Sequence, residues 1–317
     1  MPRFDVTVAG ELNLDLILYG LPADIPPERE LLASDMTLIL GSSSGILAHN
    51  LSALGARVGF ASLIGNDAFG KIALERMALG GVDVSRVKVM EGASTGLSAI
   101  LQRGAHRSIL TYPGTMFQMS FDDLDLEYLA SSRHFHLAAL FLQRKLRPRV
   151  VELFREMKNA GLTTSLDTND DPEDLWDGVD EILKYVDVFL PNEREACKIA
   201  GTENLSVALK RLAELVPLVA VKMGAKGARA HYQGEEYFVP GMPVEVVDAV
   251  GAGDSFDAGF LFQYLHDADI ATCLEYGNLA GALSTTQPGG TEAFRDRVTV
   301  EEFFRTRIGI NNGVKTV

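Results

Sequence analysis

The chain reads as an α/β protein whose mostly parallel sheet is covered by helices on both faces. Three observations carry that reading. From about Phe121 onward, strand-like and helix-like runs alternate, as repeated βαβ units require. Polar or glycine-rich patches follow the strand ends, which is where open parallel sheets place their ligands. The length of 317 residues is enough to bury most of the apolar surface without cross-links, in one large domain or two smaller ones.

The elements follow in order. Val6-Thr7-Val8-Ala9-Gly10 is a first buried strand, and Leu12 to Tyr19 alternates for its first half as a half-exposed strand should. That alternation sets Asp15 on the opposite face from Leu14 and Leu16, where a solvated edge charge is the commoner reading. Residues 22–27 are a loop. Gly41-Ser42-Ser43-Ser44-Gly45 opens a helix that runs from Ile46 to Leu54 and closes on Gly55, in the C′ position helices favour. The small residues are either a Ser-rich N-cap or a platform for a polar ligand. Val58 to Ile64 is a strand, followed by Gly65-Asn66-Asp67-Ala68-Phe69-Gly70-Lys71-Ile72. This has the G-x-x-x-x-G-K spacing of a P-loop, but Ile72 stands where Mg²⁺ ligation needs Ser or Thr. It is therefore a strand–turn–helix junction.

After Gly80-Gly81 come three short strand-like stretches, 87–90, 95–101 and 107–112, with Gly104-Ala105-His106 as a turn. With the Asp15 strand they predict a small sheet separate from the main core. Two non-contiguous segments meeting in one subdomain make a lid. The division drawn gives 12–20 and 93–112 to a small β lid, and 1–11, 21–92 and 113–317 to the α/β core. Later strands are expected at 133–138, 162–167, 186–190, 218–221 and 228–232, with helices at 149–160, 172–185, 193–200 and 205–216. His134 and His136 flank Phe135 with no further ligand at metal spacing, so they are core or strand-edge residues. Trp176 packs a helix. The polar tail 311–317 frays.

The densest stretch is Asp248-Ala249-Val250-Gly251-Ala252-Gly253-Asp254-Ser255-Phe256-Asp257-Ala258-Gly259, led in by the strand-like Val244, Val246 and Val247 and followed by a helical run. Small residues at such a junction let backbone N–H groups point at an anion, which the positive end of the helix also favours. Asp254 falls in the first turn. It either caps the helix, as Asp favours, or is a general base held against a phosphoryl group. Asp167-Thr168-Asn169-Asp170, Pro191-Asn192-Glu193-Arg194-Glu195 and Lys222-Met223-Gly224-Ala225-Lys226-Gly227 lie at equivalent strand ends.

Composition narrows the partners. Hydrophobic residues at 47% and charged residues at 23% are ordinary for a soluble enzyme-sized protein. A formal net charge of −14 argues against nucleic acid or an anionic membrane, both of which need a basic face. It leaves room for a phosphorylated small ligand held by backbone dipoles. Cys197 and Cys273 have no metal spacing and are too few for a disulfide framework, which fits a reducing, cytoplasmic compartment. The N-terminus lacks a signal-peptide h-region, and no run approaches membrane-helix length.

Taken together, Asp248-x-x-Gly251-Ala252-Gly253-Asp254-Ser255-Phe256-x-x-Gly259, Pro191-Asn192-Glu193-x-Glu195 and the Gly41 platform resemble the ribokinase-like (PfkB-type) carbohydrate kinases, from Asp15 to about Gly290. The Gly65–Gly70 turn is similar to another recurrent segment of that family. The resemblance implies a three-layer α/β/α sandwich with a small β lid, and transfer of the ATP γ-phosphate to a sugar-like hydroxyl. It implies Asp254 as the base, with the Gly251, Ala252, Gly253 and Asp254 loop as anion hole. Asn192 and Glu195 would organise Mg²⁺ and phosphates through water, Lys222, Gly224 and Gly227 would form the nucleotide-side loop, and Asn278 would lie near the adenine. Asp15 would bind sugar hydroxyls, together with the Gly41, Ser42, Ser43 platform. The carbonyls of Asp248 and Val250 are candidates for a K⁺ ion.

The chain departs from the family's pattern at the acceptor platform. Ser42 replaces a second Gly, and Ile46 falls where an Asn usually contacts the sugar. Asn50, one turn on, shares a face with Ile46 and is the candidate replacement. A nucleoside acceptor, for which Ile46 suits a less polar part, and a non-catalytic sugar- or nucleotide-binding protein on the same scaffold are the alternatives. An exposed lid sheet is a candidate for pairing two subunits.

Overall fold

The computed structural model describes residues 2–103, 106–308 and 315–316. The N-terminal part supplies β1 (Phe4–Ala9), β2 (Asn13–Leu21), β3 (Asp35–Leu40), α1 (Ser43–Leu54), β4 (Val58–Gly65), α2 (Ala68–Leu79), β5 (Asp83–Met90), β6 (Gly96–Arg103) and β7 (His106–Tyr112). Next come α3 (Leu126–Leu129), β8 (Ser132–Leu137), α4 (Val150–Asn159), β9 (Thr163–Leu166), α5 (Val179–Leu183), β10 (Val188–Phe189), α6 (Glu193–Ile199), α7 (Leu205–Ala213) and β11 (Leu218–Lys222). The chain ends with β12 (Ala228–Tyr232), β13 (Glu235–Val239), α8 (Ala252–Tyr264), α9 (Ile270–Ser284), α10 (Arg297–Arg307) and β14 (Lys315–Thr316).

The main sheet has ten strands in the order β14-β13-β12-β11-β10-β9-β8-β1-β4-β5. Strands β11 through β5 of that order run parallel, and β12, β13 and β14 add an antiparallel edge. Period-two alternation sends successive side chains to opposite faces. Phe135, Leu137, Leu166 and Phe189 pack against Phe154 of α4, Ile182 of α5 and Leu209 of α7. Val6, Val8, Phe60 and Ala220 pack against Leu47 of α1, Met77 of α2 and Phe260 of α8. The result is a three-layer α/β/α sandwich. No described helix is long and apolar enough to cross a membrane.

A second sheet of four strands, in the order β3-β2-β6-β7, stands apart from the first. Its inner face is a small cluster of Ile17, Ile39 and Ile100, against which Val250 packs. Residues 35–40 therefore belong to this sheet and not to the core, to which the division of the sequence gave them: β3 pairs antiparallel with β2, Leu14 opposite Leu40. As an edge strand, exposed at its start and buried only at its end, β3 lacks the alternation that would have revealed it. Val87 to Met90, grouped by pattern with the small sheet although the division gave it to the core, is not part of that sheet. It lies in β5, an edge strand of the main sheet paired with β4.

Two further expectations are corrected. Residues 244–247 form no strand; Val246 and Val247 are exposed, and the N–H groups of Val247 and Asp248 donate to Thr285 O at the end of α9. Of 172–185 only α5 is helical. The Asp171 carboxylate takes the N–H groups of Glu173, Leu175 and Trp176, and Asp174, Trp176 and Gly178 adopt positive φ, which stops a helix from starting. Trp176 consequently sits in a loop, edge-on to Phe141 with ring centroids 5.3 Å apart. His134 and His136 are core residues, hydrogen-bonded to Thr163 and Ser165 and kept neutral by burial. Of the tail expected to fray, 315–316 form β14, while 311–314 and 317, like the turn residues Gly104 and Ala105, lie outside the described residues.

Candidate active site

The site lies where the order of the main sheet reverses. From β1 the chain adds β4 and β5 on one side, then β8 to β11 on the other, so the segments leaving β1 and β8 diverge and open a crevice. Glu11, just past β1, and Gln143, past β8, bridge it: Gln143 Nε2 donates to Glu11 Oε2 at 2.8 Å. A cleft of about 720 Å³ opens there toward the small sheet, and Asp15, Ser42, Ile46, Arg107, Gly251 and Asp254 are among its lining.

Helix α8 enters this cleft through Gly251, an N-cap at φ 74. A Cβ there would come within 2.6 Å of Gly290 Cα and 3.0 Å of Ile46 Cδ1, so both the angle and the space demand glycine. The first N–H groups of a helix have no partner within it, and at α8 these belong to Ala252, Gly253 and Asp254. Asp254 is 8% exposed. Its pKa is raised to about 6 by burial and then by the charge of Asp167, against which Lys222 and hydrogen bonds to Ser43 and Asn169 pull it down. The helix has no side-chain cap, which removes the capping role as an account of Asp254.

Beneath the helix, Lys222 Nζ donates to Asp167 Oδ2 at 2.8 Å and to Asp257 Oδ2 at 3.0 Å. Both acids are wholly buried. Burial opposes charge on Lys222, but Asp167, Asp257 and Glu195 outweigh it and raise its pKa. Two carboxylates cannot both keep full charge on one ammonium. Asp167 is held low despite burial by Lys222, and burial pushes Asp257 up. The ammonium lies close under the helix start, since a Cβ at Gly253 would be 3.6 Å from Nζ.

On the acceptor side, Asp15 of β2 is 6% exposed rather than a solvated edge charge. Burial raises its pKa to about 7, with Ser98 opposing and Asp254 and Asp248 adding. Gly41 lies against it; a Cβ would meet Asp15 Oδ1 at 2.3 Å. Ser42 caps α1 at φ 74, accepting from the Gly45 N–H at 2.8 Å and donating to Glu11 O at 2.5 Å. Ser43 Oγ accepts from Asn169 Nδ2 at 2.7 Å. Asn50 does not reach the cleft. Its Nδ2 donates to Ser255 Oγ and to Gly290 O, both at 2.9 Å. One turn beyond Ile46 the helix has passed under the cleft floor, so the amide is spent in the core and Ile46 alone of the pair lines the cleft.

The other expected residues gather around the ends of β10 and β11. Asn192 and Glu195 form a reciprocal capping box on α6, Glu195 N–H to Asn192 Oδ1 and Asn192 N–H to Glu195 Oε2, each 2.9 Å. Burial raises Glu195 to about 7, helped by the charge of Asp167. Gly224 and Gly227 both have positive φ, and a Cβ on Gly227 would meet Val239 O at 2.1 Å. Asn278 Nδ2 donates to Val239 O and Pro240 O at 3.1 and 3.2 Å, so its amide anchors the adjoining loop. Asp248 accepts from the N–H groups of Val250 and Gly289 at 3.1 and 3.0 Å, which fixes the turn that carries its carbonyl and that of Val250.

Among the described residues no group of three or more His, Cys, Asp or Glu is placed to cage a metal. Mg²⁺ brought in with nucleotide phosphates asks less, one or two carboxylates with water retained, and Glu195 beside Asn192 fits that demand through water.

Sequence reasoning gave no role to Glu11, Gln143 or Asp257, and named Asn169 only within a polar strand end. Glu11 had a signal, an acid directly after a buried strand, and Asp257 lies one helical turn from Asp254. Nothing local marks Gln143.

Comparison with known proteins completes the description. A family model for the pfkB family of carbohydrate kinases matches residues 3–297. The chain is 30% identical over 292 residues to an ATP-dependent ribose-1-phosphate kinase of Halopiger xanaduensis, covering 91% of this chain and 94% of that one. It is similar in structure to ribokinase of Arabidopsis thaliana complexed with ribose and ATP, with a TM-score of 0.81, 25% identity and coverage of 95% and 99%. It is likewise similar to a proposed ribokinase II of E. coli in complex with ATP and Mg²⁺, with a TM-score of 0.83, 25% identity and coverage of 95% and 99%.

Proposed function

The chain belongs to the pfkB family of carbohydrate kinases, and from that premise we propose that it moves the γ-phosphate of ATP to a hydroxyl of a sugar or sugar-like acceptor, with Asp254 as general base. One observation carries the mechanism: a buried carboxyl in the first turn of α8, beside the first amides of that helix and sharing one cleft with Asp15. Phosphoryl transfer asks a protein mainly for positioning and charge stabilisation. Asp15 and the platform of Gly41, Ser42 and Ser43 orient the acceptor. Asp254 accepts its proton, a role worth on the order of 10²–10⁴ in rate. The amides of Ala252, Gly253 and Asp254 stabilise the phosphoryl oxygens, and Lys222 beneath them offsets the charge of the buried Asp167, which would otherwise repel them.

Gly224, Gly227 and Asn278 would border the nucleotide, and Asn192 and Glu195 would hold Mg²⁺ through water, where it would supply positive charge to the nucleotide phosphates. A K⁺ ion at the carbonyls of Asp248 and Val250 belongs to the same reading, supported by the two hydrogen bonds that fix the turn. The small sheet acts as a lid over the acceptor. Its exposed Met36, Ile109, Leu110 and Tyr112, with Leu32 in the segment before β3, fit cover by a second copy. The free thiols of Cys197 and Cys273 suit a cytoplasmic setting.

The test is ADP release from MgATP over a panel of neutral sugars, sugar acids, sugar phosphates and nucleosides, with and without K⁺. Transfer is expected to collapse in Asp254→Ala while nucleotide binding persists; full activity of that variant on the true acceptor sinks the mechanism. A nucleoside acceptor is the second reading, favoured by the apolar Ile46, Met116 and Phe117 in the cleft lining. Acceptor binding with no turnover in MgATP would point to a non-catalytic binding protein.

A further inference from the structure

We propose that a cavity behind helix α1, separate from the acceptor cleft, is a second binding site, and that it takes a phosphate monoester of a sugar or other polyol. The cavity has a volume of about 430 Å³ and lies among α1, the end of α2 and the segment leading into α10, a size ordinary for a small-molecule site. It shares no lining residue with the cleft, and the proposal does not rest on the kinase reading.

Charge sets this cavity apart. In a chain of net charge −14, its lining carries Arg76, Arg295 and Arg297 against a single acid, Glu292. Arg295 Nη1 donates to Glu292 Oε2 at 2.9 Å, so the other two guanidinium groups are left unmatched within the lining. Arg76 is fixed at the wall by donation from Nη1 to Leu38 O at 2.7 Å. Arg297 holds the first position of α10, whose first turn contains no acid, although the start of a helix favours acids over cations. Such a local conflict is expected at a functional site, and a bound anion resolves it. Guanidinium groups present paired donors that match phosphate oxygens.

The floor of the cavity asks for a different group. The arginines are half-buried or exposed, whereas His49 and Thr291 line the same cavity at 6% and 3% exposure. Asn50 Nδ2 donates to Gly290 O, a partner that only a donor can approach. Asn50 Oδ1 is therefore an acceptor, and His49 Nδ1, 2.9 Å from it, carries a proton. Burial lowers the pKa of the ring and keeps it neutral. Nε2, on the ring edge turned toward Gly80 in the cavity wall, then keeps a lone pair, which accepts from a hydroxyl and repels a phosphate oxygen. Arginines at the mouth and an acceptor at the floor match a molecule with a phosphate at one end and hydroxyls at the other.

The test is calorimetric titration with D-ribose 5-phosphate, inorganic phosphate and D-ribose, on the wild-type chain and on Arg295→Gln/Arg297→Gln. Both arginines are exposed and lie outside the cleft, so the double variant is expected to keep its urea midpoint, nucleotide binding and turnover. If its midpoint falls, Arg297→Gln alone takes its place. A saturating non-hydrolysable ATP analogue with Mg²⁺ is present throughout, which fills the start of α8 if the kinase reading holds. The variant locates the site even if that reading fails. Ribose 5-phosphate is expected to bind at least about tenfold more weakly to the variant, because charge-assisted donors to its phosphate are removed. Inorganic phosphate is expected to bind the wild-type chain several-fold more weakly than ribose 5-phosphate, and D-ribose to bind both chains alike. Ribose 5-phosphate affinity that is unchanged in the variant would overturn the site. Inorganic phosphate that binds as tightly as ribose 5-phosphate would overturn the part given to the hydroxyls and His49.

Discussion

Replacing Asp254 by Asn separates function from stability in a way that can be worked out in advance. Folding raises this carboxyl from 3.8 to about 6, chiefly by burial. At about 1.4 kcal/mol per pH unit, that corresponds to a cost of about 3 kcal/mol for holding the charge in the fold. Below the unfolded value the group is protonated in both states and costs nothing. Between that value and about 6 the unfolded chain releases its proton first, so stability falls as pH rises. Above this window the whole cost stands. Asn mimics the protonated form, so Asp254→Asn should be more stable than wild type by up to about 3 kcal/mol near pH 8 and by much less near pH 4. Its rate should fall on the order of 10²–10⁴. The wild-type kcat/KM should rise with pH through about 6, as the base loses its proton. Urea unfolding followed by the fluorescence of Trp176, the single tryptophan, measures the first quantity, and ADP release the others. A variant no more stable than wild type near pH 8, or one that keeps its rate, refutes the reasoning.

Lys222→Met strands Asp167 and Asp257 without their shared counter-ion and should destabilise the chain by about 3–5 kcal/mol, seen as a lower urea midpoint. Because Lys222 also holds the Asp254 pKa down, what activity survives should show its acid limb at higher pH. Asn50→Ala removes hydrogen bonds to Ser255 Oγ and Gly290 O and should cost about 1–3 kcal/mol of stability. Its acceptor KM should stay near the wild-type value, whereas Ile46→Asn should change it.

Much of the layout was legible because parallel sheets announce themselves. Buried strands such as β4 and β11 are short apolar runs, and the amphipathic α4 and α7 mark the helices between the later strands. The glycine-rich turn into α8 was legible for a different reason: Gly251 must be glycine on both angle and space, and the acid three residues on has no competing cap role. What failed was context. Val246 and Val247 have strand composition, but the N–H groups of Val247 and Asp248 are claimed by Thr285 O. Trp176 fell in a helical-looking window that Asp171 converts to a turn by accepting three backbone N–H groups. Asn50 was placed on the correct face of α1 and at the wrong depth, which periodicity alone does not report. Gln143 stood in no motif, because its meaning comes from Glu11, 132 positions away.

That long reach has a kinetic consequence. Asn50 meets Ser255 and Gly290 across 205 and 240 positions, and β2 pairs with β6 only after a whole βαβ unit has intervened. Such non-local pairings are slow to form, because loop-closure entropy is lost before any contact repays it. During synthesis β1 can find β4 early, but its other edge stays open until β8 is made. Through that interval it is a bare hydrogen-bonding edge, the kind of surface that templates aggregation. An acceptor that binds only the finished cleft stabilises the completed fold by mass action, so folding yield should rise with sugar concentration even in a chain that never turns over.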